Sequence, residues 1–80
     1  MKNLLKLHEA IVIALLSNDE RKLNFEQIGN FINERNLFPN RKGGISLEKQ
    51  VMLRSTKSKG RYHYLFEQLD EYTIQLRNLI

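Results

Sequence analysis

Residues 62–76 read YHYLFEQLDEYTIQL. Here the apolar rhythm of the chain changes to a period of two, with Tyr62, Tyr64 and Phe66 alternating with His63, Leu65 and Glu67. Successive side chains of a strand point to opposite faces, so this alternation predicts a strand with one face inward. A turn follows near Leu69-Asp70-Glu71, and Tyr72 to Leu76 alternates again, placing Ile74 and Leu76 on one face. The two runs predict a β-hairpin, built from the aromatic and β-branched residues that suit a pleated, half-buried surface. Helices in so short a chain cover one face of a sheet, which makes Tyr62, Tyr64 and Phe66 the expected inward set.

Immediately before the hairpin, Ser46 reads as the N-cap of a helix over about 46–57. Glu48 sits in its first turn and Lys57 in its last, each on the side of the helix dipole that favours its charge. Leu47 and Val51 mark the inner face. At about 100° per residue, Lys49, Leu53, Thr56 and Lys57 lie opposite that face, with Ser46, Gln50 and Arg54 on the flank. Gly60 is a helix-terminating residue. The preceding Asn40-Arg41-Lys42-Gly43-Gly44 is a loop by every turn signal.

Two further helices and a short strand lie upstream. Apolar positions 4, 7, 11, 14 and 15 form one helical stripe from Leu4 to Leu16, with Leu5, Val12 and Leu16 as a second flank, and Ser17-Asn18-Asp19 ends it. Lys22-Leu23-Asn24 is long enough for one rung of a sheet. Asn24 is then an N-cap with Gln27 three residues on, and Phe25, Ile28 and Ile32 share a stripe of the second helix. Gly29 allows a neighbour to approach, and Pro39 holds Phe38 extended, so this helix stops near Asn36. Residues 1–80 thus read as a single α+β domain of winged-helix type: a three-helix helix-turn-helix core closed by a C-terminal β-hairpin, with a short strand between helices 1 and 2.

Composition excludes several classes. There is no cysteine, hence no disulfide frame or thiolate metal site, and His8 and His63 alone are too few for a zinc site. A reducing, cytoplasmic setting fits. The longest apolar run, Ala10 to Leu16, is seven residues, against the roughly 18 that span a bilayer. Lys6, His8 and Glu9 interrupt any signal-peptide core, and no small-residue cleavage site follows. Lys42-Gly43-Gly44 lacks the spacing of a phosphate-binding P-loop, and no nucleophile–base or carboxylate pair stands out. No catalytic residue, cofactor or small-molecule substrate is expected.

The net charge of +4 is unevenly placed. Residues 1–35 hold five basic and five acidic groups, whereas residues 41–61 hold seven basic groups (Arg41, Lys42, Lys49, Arg54, Lys57, Lys59, Arg61) against Glu48 alone, a local excess of +6 in 21 residues. Charge so concentrated on and around one helix suits a polyanion, because several phosphates can be held at once. One lysine at the end of the helix is explained by the dipole alone. The dipole does not explain Lys49 and Arg54 further back, or Arg41 and Lys42 in the loop before it.

The segment from Asn24 to Leu76 resembles the HARE-type winged helix-turn-helix domains associated with restriction endonucleases and chromatin regulators. The likeness is carried by FEQIGNFINERNLF in the second helix, the Gly43-Gly44 loop, Gln50, Val51 and Arg54 of the third helix, Leu65-Phe66-Glu67 and Ile74-Gln75-Leu76. It implies DNA binding in a regulatory or restriction-associated setting. In many winged helices the hairpin tip carries Arg or Lys, but here the tip region offers Glu67, Asp70 and Glu71, which repel phosphate.

The expected partner is double-stranded DNA, with the third helix in the major groove. Lys49, Gln50 and Arg54 are the base-edge candidates, since Gln pairs with adenine and Arg with guanine through two hydrogen bonds. Arg41, Lys42, Lys57, Lys59 and Arg61 are the phosphate candidates. The alternative is a protein–protein interaction or dimerisation module using helix 1 and the acidic hairpin, favoured by the apolar surplus of helix 1 and by Leu79-Ile80. A homodimer or an additional domain fits either reading.

Overall fold

The computed structural model describes residues 4–39 and 43–77. Among them run α1 (Leu7–Leu16), β1 (Lys22–Asn24), α2 (Phe25–Glu34), α3 (Leu47–Met52), β2 (Phe66–Gln68) and β3 (Thr73–Leu76). The result is an α+β fold of three helices and a three-stranded antiparallel sheet. β3 is central, pairing with β1 through Leu23 opposite Ile74 and with β2 through Phe66 opposite Leu76. No helix among the described residues is long and apolar enough to cross a membrane.

Local capping sets the helix starts. α1 begins at Leu7 rather than Leu4, because the Lys6 N–H donates to Glu9 Oε1 at 2.8 Å and closes the first turn there; Leu4 is left fully exposed. Asn24 and Gln27 form the reciprocal pair expected of them: Gln27 N–H donates to Asn24 Oδ1 at 2.7 Å and Asn24 N–H to Gln27 Oε1 at 3.0 Å. α2 ends at Glu34, and the left-handed Asn36 (φ 52°) turns the chain away. Ser46 caps α3, accepting from the Lys49 N–H at 3.2 Å.

One core joins the layers. Ile11 and Leu15 of α1, Ile28 and Ile32 of α2, Val51 of α3 and Ile74 of β3 are fully buried, and each contributes about 1.5–3 kcal/mol of transfer free energy. Gly29 is where α2 meets the start of α3: a Cβ there would lie 3.6 Å from the Glu48 backbone.

The third helix departs from the expected 46–57 span. Only Leu47–Met52 is α-helical; Leu53–Lys57 follows as a π-helical turn and Ser58–Gly60 as a short 3₁₀ turn. Three hydroxyls bond back onto this stretch, an interaction that weakens and bends a helix: Ser55 Oγ donates to the Val51 carbonyl at 2.8 Å, Thr56 Oγ1 to Met52 at 2.6 Å and Ser58 Oγ to Leu53 at 3.3 Å. Ser58, Lys59 and Gly60 then adopt φ of 32°, 57° and 75°, so the reversal starts two residues before the glycine.

The hairpin's first arm also differs from its alternating pattern. Residues 61–65 form turns, with Leu65 and Phe66 N–H groups both donating to the Tyr62 carbonyl, and the strand begins only at Phe66. Tyr62, Leu65 and Phe66 therefore share the inward side at helical spacing, while Tyr64 is 62% exposed. Tyr64 leaves the predicted inward set and Leu65 joins it. Ile74 and Leu76 do share a face of β3, Ile74 buried and Leu76 partly so.

Candidate nucleic-acid interface

α3 and the turns that follow it form a ridge between two open grooves. On one side, a groove of about 480 Å³ is floored by Leu7, Phe38, Ile45 and Leu53 and rimmed by Gln50, Arg54, Ser58, Lys59 and Arg61. On the other, Lys49, Met52, Thr56 and Lys57 face Gln68, Glu71 and Tyr72 of the hairpin, with Glu48 at the helix start. Among the described residues the first groove has no carboxylate in its lining; the second has two.

The cations are thus divided rather than gathered. Arg54, Lys59 and Arg61 come together, because the reversal at Ser58–Gly60 folds the chain back beside the helix. Lys49 and Lys57 share the other flank with Thr56, whereas the helical-angle reading puts all three opposite the inner face together with Leu53, which instead floors the first groove. Lys49, Lys57, Lys59 and Arg61 are exposed and Arg54 is half-buried. Arg41 and Lys42 lie outside the described residues, as do Leu79 and Ile80.

Gln50 is partly engaged in the fold. Its amide Nε2 donates to the Ile45 carbonyl at 2.8 Å, securing the loop that enters α3. At the hairpin tip, Asp70 Oδ1 accepts from the Tyr72 N–H at 2.9 Å, and this hydrogen bond holds the Asp70 carboxyl below its usual range. The tip is therefore firmly negative at neutral pH.

Two residues far apart in the chain complete the site. The His8 ring stacks on Tyr62 with centroids 4.4 Å apart and planes at 21°, and His8 Nδ1 is buried without a hydrogen-bond partner among the described residues. Burial lowers the His8 pKa from its ordinary value near 6.5; Glu9 pulls it up, and Lys6 and Arg54 push it further down. Burial pushes the Tyr62 phenol up, but the positively charged Arg54 and Arg61 guanidinium groups near it outweigh burial, and the phenol sits below its usual range. Residues 8 and 62 lie too far apart in the chain for any local pattern to link them.

The chemistry available here is electrostatic and hydrogen-bonding. Among the described residues no three His, Asp or Glu side chains are grouped to hold a metal ion. No protein-family model, curated protein or solved structure gives a significant match to the chain.

Proposed function

We propose that this chain is a non-catalytic DNA-binding domain of the winged-helix kind, with α3 presented to the major groove of a duplex. The observation that carries the reading is the groove along α3 rimmed by Arg54, Lys59 and Arg61, in which the described residues place no carboxylate. Helix order, an outward third helix and a sheet with β3 between β1 and β2 suit a winged helix, and fit the likeness to HARE-type domains. Lys49, exposed on the outer line of α3, has the freest approach to base edges, with Gln50 beside it. Lys57, Lys59 and Arg61, with Arg41 and Lys42, serve the backbone. The acidic hairpin makes no favourable phosphate contact and opposes binding by its charge.

Titration of a random-sequence duplex at 50 and 200 mM salt tests this reading. Three to five phosphate contacts predict an affinity loss of roughly 40- to 500-fold between the two. Negligible binding at 50 mM salt overturns it.

The adaptor reading draws on another surface. Ile13 and Leu16, one turn apart on α1, are 37% and 49% exposed, and Leu69 and Tyr72 are exposed at the hairpin tip. A homodimer through α1 is compatible with DNA binding, since paired third helices read paired half-sites. Sedimentation equilibrium distinguishes monomer from dimer.

A further inference from the structure

The groove beside α3 carries an apolar floor that the grip on a phosphodiester does not use. Leu7 of α1, Phe38 after α2, Ile45 before α3 and Leu53 of the π-helical turn come together there, the last three only half-buried. A DNA backbone is held chiefly through charge and hydrogen bonds to its oxygens. Around the same floor stand Arg54, Lys59 and Arg61. Among the described residues no carboxylate lines the groove, and none is paired with these three cations.

The walls are set by the fold. The Gln50 amide Nε2 donates to the Ile45 carbonyl at 2.8 Å and fixes Ile45 against α3. Where the left-handed Asn36 ends α2, the Leu37 N–H donates to the Ile32 carbonyl at 3.0 Å, and this turn leads Phe38 to the groove. The reversal through Ser58, Lys59 and Gly60 brings Lys59 and Arg61 back to the groove that Leu53 floors. Floor and rim come from separate segments, each held by its own backbone geometry, so little ordering is required on binding.

We propose that this groove binds a small amphiphilic carboxylate, an aliphatic or aryl acid whose tail lies on the apolar floor and whose head group meets the cationic rim. Its volume of about 480 Å³ falls within the roughly 300–1,000 Å³ of small-ligand sites, which likewise join an apolar lining to a few convergent polar groups. The planar guanidinium groups of Arg54 and Arg61 present the paired donors that a carboxylate accepts. Lys59 and Arg61 are also the groups assigned to the DNA backbone, so acid and duplex exclude one another. That exclusion rests on the DNA reading; the site itself does not.

Titration of the isotope-labelled chain with hexanoate, octanoate and decanoate at constant ionic strength tests the site. Methyl signals of Ile45 and Leu53 and amide signals of Lys59 and Arg61 are expected to move together and saturate, with affinity rising roughly two- to fourfold for each added methylene. Decyltrimethylammonium, with the same tail and the opposite charge, should leave these signals in place. Ile45→Ser, in a loop, and Arg61→Ala, at an exposed position, should each weaken decanoate binding several-fold while the rest of the spectrum reports an intact fold. An equal response to the cationic surfactant, no dependence on tail length, or shifts centred on Ile13 and Leu16 overturns the site. So does a response seen only once decanoate aggregates, which would assign the groove to a lipid surface.

Duplex titration in the presence of the acid separates this site from the DNA reading. Decanoate at about ten times its own Kd is expected to raise the apparent duplex Kd about tenfold. Bound decanoate with an unchanged duplex Kd overturns the exclusion and leaves the site. Decanoate binding by a chain that takes no duplex at low salt supports the site and overturns the DNA reading. Duplex binding without any decanoate response overturns the site alone.

Discussion

The imidazole of His8 lies against the buried Tyr62 ring, 4.4 Å between centroids, and its Nδ1 has no hydrogen-bond partner among the described residues. Protonating this ring places a second charge beside Arg54, and burial together with Lys6 and Arg54 outweighs the attraction of Glu9. The unfolded chain, whose His8 titrates near 6.5, takes up the proton before the folded one does. Stability is therefore complete above about pH 6.5 and is lost as pH falls below it toward the depressed folded value. Thermal melts from pH 7.5 to 5 should show a falling Tm in the parent and a flatter profile in His8→Phe, which keeps the stack without the proton. An equal fall in both would assign the effect elsewhere.

Gly29 occupies a buried helical position where a Cβ meets the Glu48 backbone at an ordinary 3.6 Å. Alanine there removes the entropic penalty of glycine without a clash. Gly29→Ala should stabilise the fold by about 0.5–1 kcal/mol in urea denaturation, at unchanged m-value. Destabilisation would mean that α2 and α3 pack more closely than this spacing.

The reversal after α3 is strained at a basic residue. Lys59 has φ of 57°, a conformation that disfavours L side chains by roughly 1–2 kcal/mol. Lys59→Gly should therefore raise Tm while reducing duplex affinity and lowering the salt slope by up to about 0.9. Gly60→Ala, at φ 75° and with the new Cβ 3.4 Å from the His63 ring, should destabilise by about 1 kcal/mol or more. Opposite signs at adjacent positions, read by the same melts, check the backbone geometry.

The hairpin's charge should oppose binding. Glu71 lines the same groove as Lys49 and Lys57, and the neighbouring Asp70 is held ionised by the Tyr72 N–H. Glu71→Lys should raise affinity for random-sequence duplex several-fold at low salt and steepen the salt slope. Unchanged affinity would place the hairpin far from DNA altogether.

Features governed by neighbours in sequence were legible. The Asn24–Gln27 pair, the Ser46 cap, the end of α2 before Pro39 and the placing of Lys49 and Lys57 on one side of α3 all follow from spacings of a few residues. The π-helical end of α3 was not, because Ser55, Thr56 and Ser58 read as ordinary helix positions until their hydroxyls are seen on the Val51, Met52 and Leu53 carbonyls. Tyr64 was misplaced for a related reason: the left-handed residues 58–60 start a turn that runs to Leu65, so an alternating sequence is wound at helical spacing. The basic cluster was visible as composition. Its division between two grooves, and the stacking of His8 on Tyr62, depend on contacts between distant segments and leave no local trace.

Chemical-shift mapping of the labelled chain with a short random-sequence duplex tests the central claim most directly. Amide signals of Lys49 to Leu53 and Ser58 to Arg61 should move, while those of Ile13, Leu16 and Leu69 to Tyr72 stay in place. Perturbation centred on α1 or the hairpin tip, with α3 unmoved, would contradict the account.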